Sequence, residues 1–164
     1  MTAVSVNNQA QAILIDIRDA LASATIEGSA VFDRVIVTTS IAEARDMLLS
    51  AGRVGIVLFE KLQQQDDTDL KIACLLHLKL ILAGKADGDS ERVDQALLLA
   101  CAAKNVIEAD PPDGAMAILT QAGRDFHTPI QWGDVMLDSG DRAPWGVCEL
   151  SLTIAFQVES PIAH

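Results

Sequence analysis

The chain has 164 residues, half of them hydrophobic, which fits one domain of ordinary size and excludes a disordered polymer. Its net charge of −11 opposes binding to a phosphate backbone or to anionic lipid, both of which call for Lys and Arg. With four Phe, two Trp and no Tyr, the core must be built from Leu, Ile, Val and Ala.

Residues 1–7 read as a loose tail. Asn8 is placed to cap a helix over 9–24, with Ile13, Ile17, Ala20 and Leu21 on one stripe and Asp16, Arg18 and Asp19 outside. Gly28 and Ser29 break it, and VFDRVIVTT (31–39) reads as a β-branched strand. Ser40 opens a second helix through the capping box Ser40-Ile41-Ala42-Glu43, with Met47 and Leu48 extending its apolar stripe and Gly52 as its stop. VGIVLFEKL (54–62) is almost continuously apolar, as in a strand inside a sheet. QQQDDTD (63–69) reads as a polar connection.

Two segments then show strict alternation. Leu70, Ile72, Cys74, Leu76, Leu78, Leu80 and Leu82 share one face, and Lys71, His77 and Lys79 the other. Likewise Cys148, Leu150, Leu152, Ile154, Phe156 and Val158 oppose Glu149, Ser151, Thr153 and Gln157. Such a period marks half-buried antiparallel strands. At about 3.4 Å per residue each spans roughly 40 Å, twice an ordinary strand.

Between them, Gly84 to Asp89 reads as a turn. Ser90 caps a third helix over 91–106, with Glu91 and Asp94 near its positive end and Val93, Ala96, Leu97, Ala100 and Cys101 as its packing stripe. Pro111-Pro112 ends regular structure, and 114–122 reads as a short helix. IQWGDVMLDS (129–138) is a strand forming a hairpin with the last one across the loop Gly140 to Pro144. The expected fold is α+β: a mixed, mainly antiparallel sheet with long amphipathic strands and helices packed on one face, in a single domain 1–164 whose ends, 1–7 and 159–164, are loose.

Chemistry-bearing patterns are sparse. His77 lies on a polar strand face, His127 before a Thr-Pro turn, and His164 at the end; none stands in a nucleophile–base pattern. Cys74, Cys101 and Cys148 are odd in number and far apart, and read as small core residues in a reduced compartment. Asp87-x-Asp89-x-Glu91 begins like a calcium loop, but Leu98 stands where the twelfth-position carboxylate should be, so a turn and a capped helix explain it better. Asp66, Asp67 and Asp69 read as an exposed acidic loop. Phosphate-cradling, nucleophile-elbow and zinc-helix motifs are absent, as are a basic patch with interleaved aromatics, a secretory signal and an apolar membrane span. The expectation is a non-enzyme without cofactor or metal and with no specific nucleic-acid or membrane contact.

The strand 70–83 is weakly polar even on its outer face, where Ala73, Leu75, Ile81 and Ala83 accompany Lys71, His77 and Lys79. A strand apolar on both faces is covered on both, either by an internal helix or by a second subunit. Trp132 and Trp145 flank the terminal loop, placed either to cover the core or to anchor a subunit contact. The candidate interface residues are therefore Ala73, Leu75, His77, Lys79, Ile81, Trp132 and Trp145.

The order of elements over residues 10–158 resembles that of the tail-terminator and tail-completion proteins of long-tailed bacteriophages and prophages. The likeness is carried by the strands TDLKIACLLHLKLIL and PWGVCELSLTIAFQV with the helix SERVDQALLLACAAKNVI between them. The helix at 40–51 and the segment 108–128 depart from the simplest pattern, leaving terminator, head–tail connector or another tail component open. The resemblance implies a homo-oligomeric ring, often a hexamer, that ends or completes the tail tube. Its partners would be tube and head-connector proteins, and its location the virion tail and the host bacterial cytoplasm during assembly. An acidic ring lumen would repel DNA and let it pass. Other readings are a small cytoplasmic binding module, dimeric through its sheet, and an enzyme with a dispersed site.

Overall fold

A computed structural model describes residues 6–48, 52–67, 71–85, 88–108, 131–137 and 145–159. In chain order they form α1 (Val6–Ala22), β1 (Thr25–Ile26), β2 (Ser29–Ala30), β3 (Arg34–Thr38), α2 (Ile41–Leu48), β4 (Arg53–Asp67), β5 (Lys71–Lys85), α3 (Asp89–Glu108), β6 (Gln131–Leu137) and β7 (Trp145–Glu159). The main sheet has the order β3-β4-β5-β7-β6. Only β3 and β4 run parallel; every other neighbouring pair is antiparallel. The fold is thus α+β with a mixed, mainly antiparallel sheet.

The sheet is organised around β5 and β7. They pair without a register shift from Lys71↔Glu159 to Lys85↔Trp145, a ribbon about 50 Å long at normal strand rise. Their alternation decides the faces. Cys74, Leu76, Leu78, Leu80 and Leu82 join Cys148, Leu150, Leu152, Ile154 and Phe156 in one core, closed by α1 and α3. α1 contributes Ala10, Ile13, Leu14, Ile17, Ala20 and Leu21, the stripe expected from its period.

Several boundaries differ from the sequence reading. Val6 and Asn7 belong to α1, so they are not a tail, and Asn8 lies inside the helix rather than capping it. The expected strand 31–39 is shorter: a two-residue hairpin, β1–β2, precedes it, turning at Glu27 (φ 51°) and Gly28 (φ 82°). Positive φ at both central residues is the geometry of a type I′ turn. Val31 and Phe32 leave the strand and enter the core. QQQDDTD is not wholly a connection, because β4 runs on to Asp67 opposite Ile72, absorbing register shifts after Phe59 and after Gln64. Glu159 is not in a loose tail, since it pairs with Lys71.

The helices do not all share one face. α1 and α3 do, but α2 packs on the other, where Ala44 and Met47 close a second core with Val54, Ile56, Leu58, Ile81, Ala83 and Val147. A parallel neighbour requires a crossover, and α2 is that connection between β3 and β4. Its start is fixed as the capping box predicts, in part: the Glu43 amide donates to Ser40 Oγ at 3.2 Å and the Ala44 amide to the Ser40 carbonyl at 3.1 Å. The carboxylate limb takes a detour. The Ser40 amide donates to Thr38 Oγ1 at 3.0 Å, and that hydroxyl donates to Glu43 Oε2 at 2.9 Å.

α3 is also set differently. The Arg92 amide donates to the Gly88 carbonyl at 2.9 Å, so Gly88, not Ser90, holds the cap position. The buried stripe is Ala96, Leu99, Ala100, Ala103 and Ile107; Val93, Leu97 and Cys101 are exposed. The expected short helix 114–122, the loop 140–144 and the ends 1–5 and 160–164 lie outside the described residues.

Candidate assembly face

Beyond the patch under α2, the second face of the sheet carries no helix among the described residues. Strand register assembles its surface. Lys61, His77, Thr153 and Gln131 stand side by side across β4, β5, β7 and β6. The next row on one side is Gln63, Leu75 and Ala155, and on the other Leu58, Lys79 and Ser151. Ala73, Leu75, His77, Lys79, Ser151, Thr153 and Ala155 are all half-buried, while Lys61, Gln63 and Gln131 are exposed. Met136, opposite Glu149 on β7, is 62% exposed on the same face.

His77 is the polar centre of this surface. Its Nε2 lies 3.3 Å from Gln63 Oε1 and its Nδ1 3.2 Å from Thr153 Oγ1. With the amide oxygen as acceptor, Nε2 carries the hydrogen and Nδ1 accepts from the Thr153 hydroxyl. Both ring nitrogens are thereby spent on holding three strands in register, and the imidazole edge is not aimed at a nucleophile.

The expected interface residues divide. Ala73, Leu75, His77 and Lys79 lie together on the open face. Ile81 is buried beneath α2 in the second core. Trp132 is on the opposite face, packed half-buried against the main core with Lys104 Nζ 5.2 Å from its ring centre, a cation–π distance. Trp145 pairs with Lys85, and its side chain lies outside the described residues. Lys61, Gln63, Ser151, Thr153, Ala155 and Met136 complete the face. Alternation along β7 had put Ser151 and Thr153 on its polar side, but only the register places them next to His77.

Elsewhere, Cys74 and Cys148 are buried and Cys101 is exposed, none of them in a disulfide. Burial chiefly, with the neighbouring Glu149 carboxylate second, pushes the Cys148 thiol up to about 11. Cys148 is therefore a core residue rather than a nucleophile. Among the described residues no three His, Cys, Asp or Glu side chains gather as metal ligands. The side chains of Asp66, Asp67 and Asp89, and all of Asp69, Asp87, His127 and His164, lie outside the described residues. No described helix is long and apolar enough to cross a membrane.

Two open grooves flank the helices. One, of about 800 Å³, runs between Ser23–Ile26 and the α3 residues Leu98, Cys101, Ala102, Asn105 and Val106. The other, of about 530 Å³, lies between α1 and β3–β4, where Gln11, Thr38, Thr39 and Glu43 supply its polar atoms. No family model matches the chain, and no curated protein is significantly similar to it.

Proposed function

We propose that this chain is a structural subunit of a long-tailed phage or prophage tail, forming a ring that terminates or completes the tail tube and meets the head connector. The observation that carries this reading is the bare sheet face. A ribbon of 15-residue strands is covered on one side by α1 and α3, yet on the other the stretch Ala73–Lys79 with Ser151–Ala155 has no cover among the described residues. Its small and apolar side chains, ordered around the His77 hydrogen bonds, suit contact with protein better than catalysis.

The ligand-binding alternative has a specific foothold in the groove beside Thr38 and Glu43. Those two groups already bond to each other, which leaves fewer free polar atoms to fix a ligand and favours the assembly reading. The test is absolute mass by light scattering on a sizing column, across concentration and with purified tail tubes. A closed ring, or recruitment to tube ends, supports the proposal. A stable dimer indifferent to tubes sinks it in favour of the binding module.

A further inference from the structure

The geometry points to a head-to-tail contact in which the outer face of α3 on one subunit docks on the open sheet face of the next copy. This rests on the ring reading above and adds the surface that the sheet face receives. Val93, Leu97 and Leu98 are 41%, 44% and 40% exposed on a helix whose opposite side is fully packed. At helical spacing Val93, Leu97 and Cys101 form one strip, with Leu98 at its flank. Exposed apolar side chains gathered on one helix face are a docking signature.

Charge selects the occupant. The α3 strip is bordered by the exposed acids Glu91 and Asp94; of the helix's two cations, Arg92 is half-buried beside Val93 and Lys104 is held over Trp132. The open sheet face has the opposite character: Lys61 and Lys79 with Leu75, Ala73 and Ala155, against Glu149. In a chain of net charge −11, this is a basic–apolar surface facing an acidic–apolar one. Pairing two sheet faces would set lysine rows against each other, and pairing two α3 strips would set acid against acid. Helix on sheet satisfies both, in the same layer arrangement that α3 already makes on its inner side. A contact between two different surfaces is heterologous, and its repetition closes a ring where the rotation from copy to copy completes a full turn.

The test uses the full chain with Leu75→Arg on the sheet face and Leu97→Arg on α3. Ala155→Arg replaces the first if circular dichroism shows it unfolded. Each variant alone should lose the ring and run as a monomer. Mixed in equal amounts, they should give a two-chain complex and nothing larger, because one intact sheet face meets one intact strip. If only the Leu75 variant loses assembly, the contact is sheet on sheet; if only the Leu97 variant does, it is helix on helix. Either outcome overturns the inference, as does a mixture that stays monomeric. A ring that survives both substitutions overturns this contact and leaves the ring reading standing. A wild-type chain monomeric up to about 1 mM overturns the contact, whatever tail tubes do.

Discussion

Gly84 and Gly146 stand opposite each other in β5 and β7, directly beneath the first turns of α3. A Cβ on Gly146 would collide with the Arg92 backbone carbonyl, whereas one on Gly84 would meet only the Gln95 side chain. The pair forms a saddle without side chains, which lets the helix close on the end of the ribbon.

The consequence is an asymmetry. Gly146→Ala must move the α3 backbone and should cost about 1–3 kcal/mol, the usual range for overpacking. Gly84→Ala can be accommodated by a new Gln95 rotamer and should cost less. Urea unfolding midpoints of the two variants check the order.

The rotation of α3 gives a second contrast. Leu99 is fully buried between the helix and the sheet, while Leu97 is 44% exposed. Leu99→Ala should cost about 2–5 kcal/mol and Leu97→Ala within about 0.5 kcal/mol in the monomer. Equal losses would place Leu97 in the core and contradict the packing described above.

Gln9 is 5% exposed, and its Nε2 has no hydrogen-bond partner among the described residues. A buried amide hydrogen without an acceptor costs about 1–3 kcal/mol. Gln9→Met keeps length and helix propensity and removes the orphan donor, so it should raise stability by about 1 kcal/mol or more. The melting temperature is the readout, and a fall would show that Gln9 does find a partner in solution.

The thiols separate by burial. In the unassembled subunit a thiol reagent should label Cys101 quickly and leave Cys74 and Cys148 until denaturant is added. Cys148 also contributes a pH dependence. Its thiol is raised from 9.0 to about 11 in the fold, so the folded chain holds that proton more tightly than the unfolded one. The associated stability is complete below pH 9 and is lost as pH rises toward 11. Cys148→Ala should lower stability at neutral pH and flatten this alkaline decline relative to wild type.

Thr38 links β3 to α2 through its two hydrogen bonds. Thr38→Val keeps the shape, breaks the Ser40–Thr38–Glu43 relay and should cost about 1 kcal/mol, like the loss of a helix cap. Hydrogen exchange should show faster opening of α2 with α1 and α3 unaffected. Uniform acceleration in all three helices would mean that α2 does not open on its own.

Much of this fold was legible in the residues. The period of two in β5 and β7 marks both strands and their core faces, because a half-buried strand must alternate. The stripe of α1 and the Ser40 cap are likewise local properties. α3 is less legible: with Ala, Leu and Cys on several sides, its sequence offers more than one apolar stripe, and contact with the sheet selects Leu99 and Ala103 beside Ala96 and Ala100 in place of the expected Val93, Leu97 and Cys101.

Sheet order and the side taken by α2 belong to the tertiary structure. Nothing local makes β3 parallel to β4, yet that pairing demands a crossover and puts α2 over Ile81, which removes Ile81 from the open face. Trp132 is another such case: β6 joins β7 in a register that aims the indole at Lys104 and the core. The residues by themselves determined that the chain builds long two-faced strands and carries an acidic surplus. Which side chains share a surface, and which of them remain uncovered, was decided by register between strands distant in sequence, and no local period encodes that.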